Sequence, residues 1–281
     1  MENWKIAPKS TYVATYIDCY WLLERLQSDT GSEYPKLNPD PAAHLILAGS
    51  QQHYQYEQGA IAFAGRGSHL ILPHCKTFVM DHSQSFLVVG VKFHVGALYS
   101  LNFPANQRML DQVNSIDVQR LFNVEKFNET DLLNSAVAQA DLSQAELTRD
   151  ALDELLTPFV LDCYEDKHSR LMQGVLAIVS NTAISKIGAE LGCSQRTVER
   201  SFSRVTGFTL KQFQSMDRLE VMLNYLHTLA DNHINWSDVA ARFGFSDQPH
   251  LIRYLKSNIG NTPGEYVKRR DLAIDAYGDF E

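Results

Sequence analysis

Apolar residues change their spacing part-way along the 281-residue chain. In the first hundred residues they come as short runs: "AHLILAG" (43–49), "AIAFAG" (60–65), "HLILP" (69–73), "TFVMD" (77–81) and "FLVVGVKFHV" (86–95). Gly, Pro, Asn, Asp or Ser separates most of them, as strands joined by turns require. Several short strands at this spacing predict a small barrel or sandwich. From about Asp111 the pattern becomes helical. "DLLNSAVAQA" (131–140) and "ELTRDALDELLTPFV" (146–160) carry a leucine-rich stripe that includes Leu147, Leu152, Leu155, Leu156 and Phe159. That stripe either dimerises the chain or packs onto a neighbouring domain. From Arg170 onward every segment reads as helix: an apolar one at 174–180, a compact unit at 184–206, a long amphipathic helix near 210–229 and a second unit at 236–259. The predicted class is α+β. A β-rich barrel or sandwich occupies 1–128, a helical connector 129–169 and an all-α domain 170–281.

The two compact units repeat each other. Ile187 aligns with Val239, Ala189 with Ala241, Leu191 with Phe243, Gly192 with Gly244 and Ser194 with Ser246, each 52 residues on. After the turn the offset is 53, and Val198 meets Leu251, Phe202 meets Leu255, Gly207 meets Gly260 and Phe213 meets Tyr266. Each unit has the layout of a helix-turn-helix. A short helix ends before a glycine, which adopts a left-handed cap cheaply. A serine, Ser194 or Ser246, is placed to cap the next helix. That helix keeps every fourth residue apolar and leaves its other faces polar. In the DNA-binding form of the motif the second helix enters the major groove.

The residues left facing outward suit that task. In the first unit they are Ser194, Gln195, Arg196, Thr197, Glu199, Arg200, Ser203 and Arg204; in the second they are Asp247, Gln248, Pro249, His250, Arg253 and Lys256. Arg pairs bidentately with guanine and Gln with adenine, while Ser, Thr, Lys and Arg hold phosphates. Pro249 falls in the first helical turn, where its missing N–H breaks no internal bond.

"IGAELGCSQRTVERSFSRVTGFTLKQF" and "WSDVAARFGFSDQPHLIRYLKSNIGNTPGEY" resemble the AraC/XylS family of bacterial transcription regulators. The resemblance spans 178–270. It implies a seven-helix domain with two helix-turn-helix units on one linker helix, reading successive major grooves about 34 Å apart. It implies double-stranded promoter DNA and RNA polymerase as partners. It also implies a second domain that senses a small molecule, forms a homodimer, or both. "SNIGN" is less basic than the family's usual stretch there. "YIDCYWLLERL", "NPDPAAHLIL" and "VVGVKFHVGALYSL" are similar to a β-rich subgroup rather than the sugar-binding cupin type. Asp40-Pro41 stands where that subgroup has Asp-Gly, and His94-Val95 where it has a basic-Pro pair.

The run at 86–95 offers a candidate effector site. Alternate residues face opposite ways along a strand. Leu87, Val89, Val91, Phe93 and Val95 make a wholly apolar side; Phe86, Val88, Gly90, Lys92 and His94 start apolar and end basic. The second side either lines a pocket whose basic end accepts an anionic group or runs out into solvent. Tyr16, Tyr20 and Trp21 are either aromatic walls of that pocket or plain core. Six histidines, His44, His53, His69, His74, His82 and His94, show no HxH or HxxxH pair, so no metal or other cofactor is expected.

Composition adjusts this picture in two places. The net charge of −8 argues against a nucleic-acid partner until the chain is divided. Residues 1–168 hold 12 Lys+Arg against 21 Asp+Glu (−9), and residues 184–270 hold 12 against 8 (+4). The basic part coincides with the repeat. Cys19, Cys75, Cys163 and Cys193 are scattered without CxxC spacing, which fits a reducing, cytoplasmic setting. No apolar run is long enough for a transmembrane helix and no secretory pattern begins the chain, so no membrane partner is expected. GxSxG, Walker, HExxH and PCHR-like motifs are missing, and the chain reads as a regulator and not an enzyme. Two competing readings are a metal-dependent β-barrel enzyme fused to a DNA-reading module, and a regulator controlled by protein partners.

Overall fold

The computed structural model describes residues 3–30, 32–103, 110–123, 127–137, 142–229 and 234–268. Its N-terminal part is a sandwich of two antiparallel sheets. One sheet has the order β1 (Asn3–Ile6), β2 (Ile17–Arg25), β9 (Phe86–Phe93), β4 (His44–Ala48), β7 (His69–Ile71) and β10 (Val113–Ser115). The other runs β3 (Lys36–Leu37), β8 (Phe78–Met80), β5 (His53–Gln58) and β6 (Ile61–Arg66). The five apolar runs of the sequence appear as β4, β6, β7, β8 and β9. Strands β1, β2, β3, β5 and β10 were not among them.

The larger sheet is covered on both sides. Tyr20, Leu22, Leu45, Leu47, Val89, Val91 and Phe93 face the helices that follow the sheets. Those are the short α1 (Ala97–Ser100), α2 (Val118–Phe122), α3 (Glu129–Val137) and α4 (Leu142–Leu161). Leu132, Leu133, Leu152 and Leu156 are buried in that same cluster. The leucine stripe therefore packs inward, although Leu147 stays exposed. On the sheet's other face Trp21, Leu23, Ile46 and Val88 meet Tyr56, Phe78 and Met80 of the second sheet. Both faces of β9 are thus interior, and even Lys92 is only 8% exposed. Gly90 is required here because the Trp21 indole lies across its backbone, where a Cβ would overlap the ring.

Seven helices follow among the described residues. α5 (Lys167–Leu176) starts from Asp166 in a reciprocal capping box with Ser169. It begins and ends earlier than the apolar run at 174–180, whose last four residues form turns. Next come α6 (Ile184–Glu190), α7 (Gln195–Thr206), α8 (Leu210–Thr228), α9 (Trp236–Arg242), α10 (Gln248–Ile259) and α11 (Pro263–Lys268). Two separate apolar clusters hold them. Ile187, Val198, Phe202 and Phe208 centre the first, and Val239, Leu251, Leu255 and Ile259 the second. α8 serves both, with Phe213 and Met216 in the first and Leu219, Met222 and Leu226 in the second. Its 19 residues span about 28 Å at the usual rise and so set the two units apart. No described helix is long and apolar enough to cross a membrane. Residues 269–281 of the helical segment, including Arg270, lie outside the described residues.

Candidate nucleic-acid interface

The two turns have nearly identical backbones. Gly192 (φ 65°) and Gly244 (φ 70°) adopt the left-handed conformation that a side chain would strain. Each donates its N–H at 3.2 Å, to Ala189 O and Ala241 O respectively. The next residue reaches back at 2.8 Å in both units, Cys193 to Gly188 O and Phe245 to Ala240 O. These bonds close the orphan carbonyls of α6 and α9.

The caps then differ. Ser194 Oγ accepts the Thr197 N–H at 3.2 Å, as the sequence predicts. In the second unit the cap is Asp247 and not Ser246: Asp247 Oδ1 accepts the His250 N–H at 2.7 Å. The extra residue in this turn falls before the cap, so the partner of Ser194 sits 53 residues on, at Asp247. Ser246 Oγ instead lies 3.2 Å from His250 Nδ1. A carboxylate at this end also complements the positive pole of α10.

The outward residues divide into engaged and free. On α7, half-buried Gln195 accepts the Gly188 N–H at 3.3 Å and donates to Glu199 at 3.1 Å. The Thr197 hydroxyl is 2.8 Å from Ser194 Oγ. Arg204, at the far end, donates from Nε to the Tyr99 hydroxyl at 3.2 Å and so faces the N-terminal domain. Arg196, Arg200 and Ser203 are exposed and have no side-chain partner among the described residues. On α10, His250 is half-buried with its ring centroid 5.2 Å from that of Phe245. Pro249 sits in the first turn. Gln248, Arg253 and Lys256 are exposed, again with no side-chain partner among the described residues. Arg200 and Arg253 occupy the same place in their units, 53 residues apart.

One functional support gave no sequence signal. Arg218 of α8 lies with its guanidinium 4.6 Å from the Phe245 ring centroid and 4.9 Å from that of Tyr254. Tyr254 also hydrogen-bonds Ser215 through its hydroxyl. These contacts tie α10 to the linker helix through cation–π attraction.

Two sequence families match this layout. HTH_18, a helix-turn-helix domain, covers residues 187–269. A domain of unknown function, DUF6597, covers residues 5–113. The C-terminal region carries an AraC-type helix-turn-helix domain, the module of a DNA-binding transcription regulator. The regulator is also similar to solved structures of ToxT from Vibrio cholerae. One has 10% identity, 95% of this chain and 97% of that chain covered, and a TM-score of 0.43. An unsaturated-fatty-acid-bound wild-type ToxT has 12% identity, 88% and 94% coverage, and a TM-score of 0.41. The AraC-like transcriptional activator CuxR follows at 10% identity, 80% and 87% coverage, and a TM-score of 0.28. The helix-turn-helix match over 187–269, and not these distant likenesses, carries the assignment.

Among the described residues, the five candidate effector residues of the regulator do not face one common space. Tyr16 donates to Cys163 Sγ at 2.8 Å, and its own pKa is raised by burial and by that partner. Tyr20 is fully buried and donates to Asp153 Oδ1 at 2.7 Å; Asp153 Oδ2 accepts the Lys9 and Ser10 N–H groups at 2.9 and 2.7 Å. Trp21 points to the opposite face of β2, into the core between the sheets. Lys92 Nζ lies 3.7 Å from Asp40 Oδ2, an oxygen that also sits 3.0 Å from His44 Nε2. Burial alone raises the Asp40 carboxyl, but Lys92, His44 and the Ala42 N–H outweigh it and hold it well below the carboxylate range. His94 Nε2 is 3.1 Å from the Ala14 carbonyl oxygen. Because both faces of β2 and β9 are covered, Lys92 closes a buried ion pair with Asp40, while His94, just past the end of β9, is exposed.

Open space lies elsewhere on the sandwich. A cavity of about 710 Å³ is bounded by Gln52, His53, Tyr54, Arg66, Asp81 and Phe86. A second, of about 490 Å³, opens between β6 and β10 beside Tyr54, Phe63 and Phe103. Behind the first, burial lowers His69 to about 4, with some relief from the Gly67 carbonyl. Burial and then Arg25 lower His82 to about 4. Both imidazoles are therefore neutral at pH 7. No group of three or more metal-ligating side chains occurs among the described residues.

Proposed function

We propose that the regulator reads a bipartite duplex site with the N-terminal ends of α7 and α10. Arg196 and Gln248 meet base edges, while Arg200, Ser203, Arg253 and Lys256 hold phosphates. The observation that carries this reading is the matched pair of exposed helix faces, each with basic side chains that have no partner among the described residues. A solvated surface helix has no reason to repeat Arg200 at Arg253 behind the same glycine turn. Selection of the full chain against random duplex is expected to enrich two subsites centred about 10 base pairs apart, with affinity falling steeply in salt. No enriched motif, together with salt-insensitive binding, overturns it.

The N-terminal domain senses a small molecule, and its site is the 710 Å³ cavity beside β5, β6 and the turn that leads into β9. Tyr54 and Phe86 supply aromatic surface, and Gln52, Arg66 and Asp81 supply polar groups at its rim. Asp81 directly follows β8, and Thr77 directly precedes it. Thr77 donates to the Asn258 carbonyl at 2.7 Å, so the cavity wall and α10 share one strand. NMR fragment screening of the full chain is expected to shift resonances of Tyr54, Arg66 and Phe86. Hits that cluster on Tyr16, Lys92 and His94 instead return the site to the other face. Recruitment of RNA polymerase and homodimer formation belong to the same reading. The surface left for a dimer is the exposed side of α4 at Leu147, since Leu152 and Leu156 are buried and Leu155 and Phe159 pack against the same cluster.

A further inference from the structure

Among the described residues, the N-terminal domain touches both recognition helices at their C-terminal ends. At α7, Arg204 donates to Tyr99, which in turn donates to Asp166 at 2.9 Å. Val95 and Leu110 pack on the first unit's core, and a Cβ on Gly207 would lie 3.0 Å from Leu110. At α10 the contact is polar. Lys36 Nζ donates to the Ile259 carbonyl at 3.1 Å and to Asn261 Oδ1 at 2.8 Å. Thr77 Oγ1 donates to the Asn258 carbonyl at 2.7 Å.

The chemistry of this second contact is specific. Carbonyls of the last helical turn have no partner within the helix. They also form the negative pole of the helix, where an ammonium group is favoured. Lys36 is thus a helix cap supplied from 223 residues away. It is held firmly, because Lys36 pairs with Val79 and Leu37 with Phe78. Leu37 and Phe78 are both fixed in the core between the sheets.

The reading ends of both helices remain open. Arg196, Arg200, Gln248 and Arg253 are all exposed. The N-terminal domain therefore does not cover the base-reading faces; it grips the helices from behind. What such a grip fixes is the position of one helix relative to the other.

We propose that Lys36 and Thr77 are positioning residues for α10. Through them the N-terminal domain holds the second recognition helix in register with the first and sets the subsite spacing that the regulator accepts. This rests on α7 and α10 being the base-reading helices. A helix held in its bound position loses less freedom on binding, so the contact favours the correctly spaced site.

The test uses the full chain on the selected duplex, on duplexes with one base pair added or removed between subsites, and on one with the α10 subsite scrambled. The wild type is expected to prefer one spacing. Lys36→Ala with Thr77→Val is expected to lose roughly 10-fold in affinity at that spacing and to flatten the preference. Its binding to the scrambled duplex is expected to match the wild type. Lys36→Arg with Thr77→Ser, which keeps a donor at each place, is expected to retain the preference. Asn261→Ala removes one acceptor without touching either sheet and is expected to flatten it in part, so the outcome does not depend on the double variant folding. An unchanged spacing profile in both the double variant and Asn261→Ala overturns the proposal alone. A wild type that binds the scrambled duplex as tightly as the intact one overturns the base-reading of α10, and the proposal with it.

Discussion

Gly90→Ala is expected to destabilise the N-terminal domain by about 3 kcal/mol, the upper end of what overpacking usually costs. Ordinarily a glycine-to-alanine change inside a strand is mildly favourable, because it restricts the unfolded chain. Here sterics reverse the sign. Gly90 sits on β9 directly opposite Trp21 on β2 and Ile46 on β4. The Trp21 indole covers the spot where the new methyl group would go, and it is itself 1% exposed, with no open space to retreat into. The indole or a whole strand must move, and close-packed interiors resist both. Gly49→Ala is the control, since nothing lies within 4 Å of a Cβ there. Denaturant midpoints and the near-UV signal of Trp21 check the result. A Gly90→Ala midpoint equal to that of Gly49→Ala would show that the indole is not held as described.

The helical domain was far more legible in the sequence than the sandwich. Both helix-turn-helix units lie where their repeat places them, because glycine turns, caps and every-fourth apolar residues are local rules. Ser246 keeps the 52-residue offset from Ser194, yet Asp247 is the cap, because this turn gains its extra residue before the helix begins. The missed strands have a different cause. β5, "HYQYEQ", turns tyrosines and not aliphatic residues toward the core, so it has almost no aliphatic signal. β2 runs through nine residues buried nearly without alternation, since both of its faces are interior. The same fact misled the reading of β9. Alternation says which residues share a face, but not whether a second layer covers that face. Lys92 and His94 read as the basic end of either a pocket or a solvent-facing side, and tertiary packing gives Lys92 a buried carboxylate partner at Asp40. The grip of Lys36 and Thr77 on α10 had no sequence signal either, because it joins residues that the chain keeps about two hundred positions apart.

Arg196→Ala combined with Gln248→Ala is expected to weaken binding to the selected duplex by roughly 2–6 kcal/mol and to erase preference at both subsites. Each residue stands in the first turn of its helix, the part that reaches base edges in this motif. A good bidentate contact is worth about 1–3 kcal/mol of discrimination. The two residues sit on helices built around separate cores at opposite ends of α8, so their effects are expected to add. Neither side chain has a partner among the described residues, so its loss leaves no buried group unsatisfied and the fold should be unchanged. Arg253→Ala separates the two kinds of contact. A phosphate-holding arginine is expected to weaken binding evenly across sequences and to lower the salt slope by about 1. Titrations at several salt concentrations, on the selected duplex and on an unrelated one, distinguish these outcomes. If the Arg196/Gln248 double variant keeps the wild-type motif, other faces of α7 and α10 meet the DNA. If Arg253→Ala instead changes the motif at one base pair and leaves the salt slope alone, Arg253 reads a base and not a phosphate.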